Sequence, residues 1–335
     1  MIAETHLLLA VRFSSRRRRV IRRHELPVRL DDVAEVSTLH VAELLGSKTE
    51  PHLQAGTAVT NSSLTGRTAL ISGGSRGIGL SIALRLAREG ANIALLAKTD
   101  TPNPRLPGTV HTAAAEIEAA GGQALAVVGD VRDRAAVSRA VSECVTRFGG
   151  IDIVVNNASA INLSGWGDLD PKRFDLMLDV NVRGTFSLVT EALPHLLNSE
   201  HAHVLTLSPP LNVARRWLAT HAPYTLTKYA MTMLTLGLAE QYRGSLAANC
   251  LWPETLIATA AVQNIVGGDE GMRAARSPQI MADAAAVILE AKPGLETGHC
   301  HIDSDVLRCS GETDLSGYAA VPGTAESDLE LDLFI

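Results

Sequence analysis

Residues 67–90 read RTALISGGSRGIGLSIALRLAREG: a short β-prone apolar run, a cluster of glycines, then helical periodicity closed by Gly90. A strand passing through glycines into a helix is the unit from which parallel sheets are wound. The chain repeats strand and helix from there on. NIALLAK (92–98), ALAVVGD (124–130), IDIVVNN (151–157), HVLTLS (203–208) and AANCLW (247–252) are buried-strand candidates with helix-period stretches between them, and a segment near 299–303 brings the strands to about seven. Strands apolar on both faces that alternate with helices require a parallel sheet covered on both sides. Right-handed crossovers then give an α/β, doubly wound, Rossmann-type architecture with helices on both faces.

The pattern begins near Leu64, which divides the 335 residues into an extension, 1–60, and one domain, 61–335. The extension carries eight arginines between positions 12 and 29 against one acid, Glu25. Such runs occur in transit peptides and nucleic-acid-binding arms, but the acids and helical spacing of DDVAEVSTLHVAELLG weigh against a transit peptide. The expected reading is a disordered tail, or upstream sequence translated from an early start codon. The net charge of −6 gives no reason to expect nucleic acid as a partner. No run approaches the roughly 18 apolar residues that span a bilayer. Cys144, Cys250, Cys300 and Cys309 are scattered with no CxxC pair, which points to a reducing, cytoplasmic location without disulfides. His299 and His301 flank Cys300, and strand alternation sends both to one face; with no carboxylate–histidine constellation nearby, no metal is expected.

The glycines of SGGSRGIG (72–79) stand where a dinucleotide-binding turn requires them. Gly73 suits the tight turn, Gly77 lets the backbone approach phosphate oxygens, and Gly79 allows close helix packing. The helix N-terminus then offers free N–H groups to an anion. A purely structural turn is the alternative. The second strand ends in LLAKT, with Lys98 in place of the acid that would meet a free ribose 2′-hydroxyl. Lys98 and Arg76 could flank a 2′-phosphate, so NADP(H) is expected over NAD(H).

SGGSRGIG, NNAS (156–159), NVRG (181–184) and YTLTK (224–228), in this order, resemble the short-chain dehydrogenase/reductase family. LSPPLN and YTLTKYAMTMLTLGLAEQ carry a closer match to a hydroxysteroid-dehydrogenase-like branch and its bacterial relatives, over about residues 64–318. The resemblance implies a pyrophosphate loop of Gly73, Gly77 and Gly79 lined by Ser75, Arg76 and Ile78. It places Lys98 at the ribose phosphate, Asp130 at the adenine, and Asn156 and Ala158 along the cofactor. It gives Asn181 a place in a proton relay, Tyr224 the general acid/base role and Lys228 that of its partner. It also implies a homodimer or homotetramer. Ser72 and Ser159 replace the family's usual Thr and Gly. The family's serine lies 13 residues before the tyrosine, where this chain has Leu211; Ser208, 16 before, is the nearest hydroxyl and the candidate for that role.

Positions four apart share a helix face, so Tyr224 and Lys228 project together. A tyrosine titrates near ~10, and bringing it near neutrality takes ~4 kcal/mol of phenolate stabilisation. An adjacent ammonium in a partly desolvated cleft is expected to supply much of that. The expected activity is NADP(H)-dependent hydride transfer between nicotinamide and the alcohol or carbonyl of a hydrophobic fatty-acyl, steroid-like or terpenoid substrate. The alternative is a nucleotide-binding sensor on the same fold, favoured by the displaced serine. Arg215 and Arg216 could hold an acidic substrate or sit in a solvated loop. Trp166, Trp217 and Trp252 read as packing.

Overall fold

A computed structural model describes residues 64–103, 106, 108–294 and 296–335; the expected extension, 1–60, lies outside the described residues. Seven parallel strands run in the order β3-β2-β1-β4-β5-β6-β7: β1 Thr68–Ser72, β2 Asn92–Ala97, β3 Gln123–Val128, β4 Ile153–Asn156, β5 His203–Thr206, β6 Ala247–Trp252 and β7 Cys300–Ile302. The order reverses between β1 and β4, and that is where doubly wound sheets open a crevice at the carboxyl ends of their strands.

The period of two within each strand divides the core. In β1, Ala69 and Ile71 pack with Ile82 and Leu86 of α1 (Gly77–Arg88), Ala113 and Ile117 of α2 (Val110–Ala119), and Ile280 and Leu289 of α8 (Gln279–Glu290). Leu70 points to the opposite face, with Val137 and Cys144 of α3 (Arg134–Phe148) and Leu188 and Leu196 of α5 (Gly184–Leu196). Each large aliphatic side chain removed from water contributes about 1.5–3 kcal/mol, so both helix layers are held by the strands they cover.

Helix starts follow local chemistry. Thr109 caps α2 and forms a reciprocal capping box with Thr112, and Asp133 caps α3 through Ala135 N–H. The helix α4 (Pro171–Met177) opens on Asp170 and Pro171 and runs into a π-helical turn, Leu178–Arg183, before α5. The long α6 (Arg215–Gln241) is broken at His221 (φ −144°, ψ 46°), two residues before Pro223. Proline has no N–H and clashes with the preceding turn, so a short helical piece precedes a second one that begins just ahead of Tyr224. Beyond β6 lie α7 (Gly268–Arg273), α8 and, after β7, α9 (Asp303–Ser310). No helix among the described residues is long and apolar enough to cross a membrane.

Candidate active site

The glycine loop leaves β1 at the point of strand-order reversal. Gly73 (φ +73°) and Gly77 (φ +58°) lie in the left-handed region that glycine tolerates. Gly79 is needed for closeness instead: a Cβ there would sit 2.5 Å from Asn157 Nδ2 and 2.9 Å from the Gly73 carbonyl oxygen. Arg76 caps α1 in extended conformation with no side-chain hydrogen bond to the helix, so no capping side chain takes the first N–H groups of α1. This cradle fits a dinucleotide pyrophosphate, for which glycines and open helix N–H groups are the usual donors. Asn157, which the sequence reading passed over, holds the loop: its Nδ2 donates to the Ser72 and Gly73 carbonyls, each at 3.0 Å. Ser72 does the work of a threonine here, its hydroxyl oxygen accepting from Asn157 N and Ala158 N at 3.2 Å each. Ser75 is buried and Ile78 packs against the core.

Lys98 follows β2 and is exposed. Arg76 Nη2 donates to the Gly108 carbonyl at 2.6 Å, so its guanidinium is anchored on the segment before α2. Asp130 is engaged by Arg132, 2.8 Å away, whose hydrogen bonds hold its carboxyl below the usual carboxylate range, with Lys98 adding to the effect. Asn156, at the end of β4, donates from Nδ2 to Thr206 Oγ1 at 3.2 Å, and its Oδ1 is buried with no partner among the described residues.

Tyr224 and Lys228 both lie on the second part of α6, each 3% exposed. Lys228 Nζ donates to the Leu207 carbonyl at 2.5 Å and stands 4.9 Å from the centre of the Trp252 ring. Burial pulls the ammonium down to about 7, opposed by the Asp332 carboxylate. The Tyr224 phenol is pushed upward by burial and, secondarily, by Asp332. This differs from the expected lowering by Lys228: desolvation destabilises phenolate and ammonium alike, and the lysine is spent on a carbonyl and an indole face.

Asn181, in the π turn, is fully buried; its Oδ1 accepts from Ala160 N at 2.7 Å, and its Nδ2 donates to Ala160 O and Thr227 Oγ1 at 3.0 Å each. It thus ties the segment after β4 to the residue preceding Lys228. Ser208 is fully buried beyond β5, 3.0 Å from Thr232 Oγ1 and in contact with the Cys250 thiol. Thr232 has one proton, and its shortest contact is the Pro209 carbonyl at 2.7 Å. The Thr232 hydroxyl is thus shared between Ser208 Oγ and the Pro209 carbonyl oxygen.

A second group of side chains closes on Tyr224 from a direction the sequence did not signal. Phe334 stacks on it (centroids 6.3 Å apart, planes at 29°) and also meets Trp217, His221, Tyr229 and Trp252. Trp217 and Trp252 pack in the cluster around the tyrosine, as the sequence reading has it, while Trp166 is exposed. Arg216 lies over Trp217 and donates to the Ile335 backbone oxygen at 2.7 Å; Arg215 is exposed. His299 and His301 share a face, their rings 5.5 Å apart, as alternation predicts. No group of three or more metal-ligating side chains occurs among the described residues.

The family described as short chain dehydrogenase matches residues 67–272. Hydroxysteroid dehydrogenase-like protein 2 of Danio rerio is 51% identical over 260 residues, covering 78% of this chain and 62% of that protein. The Homo sapiens protein of the same name is 47% identical over 272 residues, with 81% and 64% covered. The chain thus spans less than two thirds of the length of these curated relatives. Among solved structures, a short chain dehydrogenase from Mycobacterium thermoresistibile is 53% identical with a TM-score of 0.76, covering 82% of this chain and 96% of that one. A short-chain dehydrogenase/reductase from Serratia marcescens is 28% identical with a TM-score of 0.60, covering 72% and 97%.

Proposed function

Since the chain belongs to the short-chain dehydrogenase family of oxidoreductases, we propose that it is an NADP(H)-dependent enzyme that interconverts the alcohol and carbonyl of a hydrophobic substrate. The observation that carries this reading is the buried Tyr224–Lys228 pair beside a cluster of aromatic rings at the carboxyl edge of the sheet.

The glycine loop and the α1 N-terminus would hold the pyrophosphate, and Ser75, Ile78, Asp130, Asn156 and Ala158 would border the rest of the cofactor. Lys98 and Arg76 favour the 2′-phosphate form, because no acid stands at the end of β2 to meet a free hydroxyl. When bound, the nicotinamide supplies the hydride chemistry. Tyr224 is the proton donor or acceptor for the substrate oxygen. It would donate a proton in carbonyl reduction and accept one in alcohol oxidation. Lys228 would act as its partner and hold the nicotinamide ribose, and Asn181 fixes the turn beside it. Ser208 would steady the substrate oxygen once its hydroxyl turns from Thr232.

The name of the curated relatives agrees with a steroid-like substrate, and the apolar rings around Tyr224 are compatible with fatty-acyl and terpenoid compounds as well. The apolar residues Phe186 on α5 and Met233 on α6, both more than half exposed, support a homodimer or homotetramer. The unpaired thiols support a reducing, cytoplasmic location. The test is a titration with NADPH and NADH of the full chain and of Lys98→Asp. NADPH should bind at least tenfold more tightly than NADH, and the variant should lose that preference. Equal binding of the two by the unmodified chain would contradict the cofactor assignment.

Two observations favour a second reading, a nucleotide-binding sensor. Ser208 is committed to Thr232 and Tyr224 is covered by Phe334. A sensor binds NADPH and oxidises none of it across a panel of carbonyls; the enzyme oxidises it.

A further inference from the structure

The run Leu329–Ile335 is laid along the mouth of the site and turned into it. Leu256 N donates to Glu330 O and Glu330 N to Ala274 O, each at 2.9 Å, Leu331 bridges to Thr255, and Asp332 N donates to Glu254 O at 3.0 Å. Past that point the backbone is held by side chains of the site. Trp252 Nε1 donates to Leu333 O at 2.8 Å and Asn212 Nδ2 to Phe334 O at 3.0 Å. The Phe334 ring, 1% exposed, fills the slot between Trp217, His221, Tyr224, Tyr229 and Trp252.

A substrate carbonyl must come within about 3 Å of the Tyr224 phenol to take its proton, and Phe334 stacks across that approach. Two observations show that Phe334 is a poor match for the slot it fills. Its φ is +76°, in the left-handed region, which is strained for a bulky residue. Two polar atoms on the rings around it, Trp217 Nε1 and His221 Nε2, are buried with no hydrogen-bond partner among the described residues. A benzyl group offers them no acceptor, and a buried polar group left unsatisfied is destabilising. The indole N–H can only donate, so the missing partner is an acceptor.

We propose that Phe334 is a displaceable occupant of the substrate slot, and that the slot takes a flat or alicyclic ring bearing a second oxygen acceptor, met by Trp217 Nε1 and His221 Nε2, while its reactive carbonyl faces Tyr224. This rests on the oxidoreductase reading and narrows its substrate class from any hydrophobic carbonyl to a ring with an acceptor at its far end. An unbranched acyl chain has no group there to satisfy either nitrogen. The run Leu329–Ile335 then competes with substrate for one space.

The experiment measures equilibrium binding by tryptophan fluorescence, without turnover. The probes are 1,4-cyclohexanedione monoethylene ketal, a ring ketone with distal acceptor oxygens, and plain cyclohexanone, which lacks them. Phe334→Ala in the full chain should bind the ketal about tenfold more tightly than the unmodified chain, with Phe334→Leu falling between. Adding Trp217→Phe to Phe334→Ala, which deletes the donor and keeps a ring, should weaken the ketal about tenfold and leave cyclohexanone unchanged; Trp252 still reports. Weaker binding of both probes by Phe334→Ala and Phe334→Leu would make Phe334 a fixed wall and overturn the proposal. So would an equal effect of Trp217→Phe on the two probes. NADPH affinity, measured in parallel on the same proteins, keeps the outcomes separate: its absence defeats the oxidoreductase reading, whereas the probe series alone decides the slot.

Discussion

At the scale of single residues, burial does more than pairing to set the charge states of this molecule. His203 on β5 is 1% exposed, with Nε2 3.0 Å from the Ala291 carbonyl, and burial pushes it down to about 4. An unfolded imidazole titrates near ~6.5, so between about 4 and 6.5 the unfolded chain binds the proton that the folded chain refuses. Stability is therefore unaffected above that window and falls as pH drops through it, by about 3 kcal/mol in all. Urea unfolding of the unmodified chain and of His203→Gln at pH 7.5 and 4.5 checks this. The difference in stability between the two proteins should shift by about 2.5 kcal/mol in favour of the variant at low pH, and an unchanged difference would refute it. The same desolvation explains why Tyr224 and Lys228, found in the sequence by their spacing, do not show the lowered phenol that spacing suggests. Helical periodicity reports which side chains share a face. It does not report that Leu207 O and Trp252 claim the ammonium. Phe334 was not legible at all, because neighbouring backbone positions in the strap are held by partners 81 and 122 positions away, Trp252 and Asn212.

At the scale of elements, the strands were legible to within a residue or two because each is apolar on both faces, and β6, Ala247–Trp252, coincides with the run read from the sequence. The stretch between β5 and Tyr224 was harder. Counting back thirteen residues from the tyrosine lands on Leu211, because the count allows no room for the short helical piece from Arg215 to the break at His221. That piece presents Trp217 and His221 to the cleft, and Pro223 starts the second piece just ahead of Tyr224. The glycine loop gives the sharpest prediction at this scale. Gly79→Ala would drive a Cβ to 2.9 Å from the Gly73 carbonyl, a backbone atom that cannot swing away. Overpacking of this kind costs about 1–3 kcal/mol. NADPH affinity should fall at least tenfold with a measurable loss of thermal stability, as read by cofactor titration and a melting curve. Unchanged affinity would show that the loop does not hold the pyrophosphate.

At the scale of the whole molecule, strand order does what no single residue can. Placing β1 between β2 and β4 brings the glycine loop, Asn156 and the end of β5 to one edge, and α6 lays Tyr224 and Lys228 against it. The parallel sheet was legible because alternation of strand and helix leaves few other topologies. The identity of the substrate was not, since its slot is assembled from α6, β6 and the last residues of the chain. Deleting residues 1–60 should leave NADPH affinity and cooperative unfolding unchanged, measured by the same titration and by urea denaturation; a chain that no longer folds would move the domain boundary upstream.

Central to this reading is that Tyr224 moves a proton beside a bound nicotinamide, and the most direct measurement is NADPH oxidation with a ring ketone by the unmodified chain and by Tyr224→Phe, with NADPH affinity determined for both. Removing a general acid lowers the rate by about 10²–10⁴-fold, so the expected result is turnover by the first protein, a loss of that size in the second, and equal affinities. Equal rates in the two proteins would contradict it.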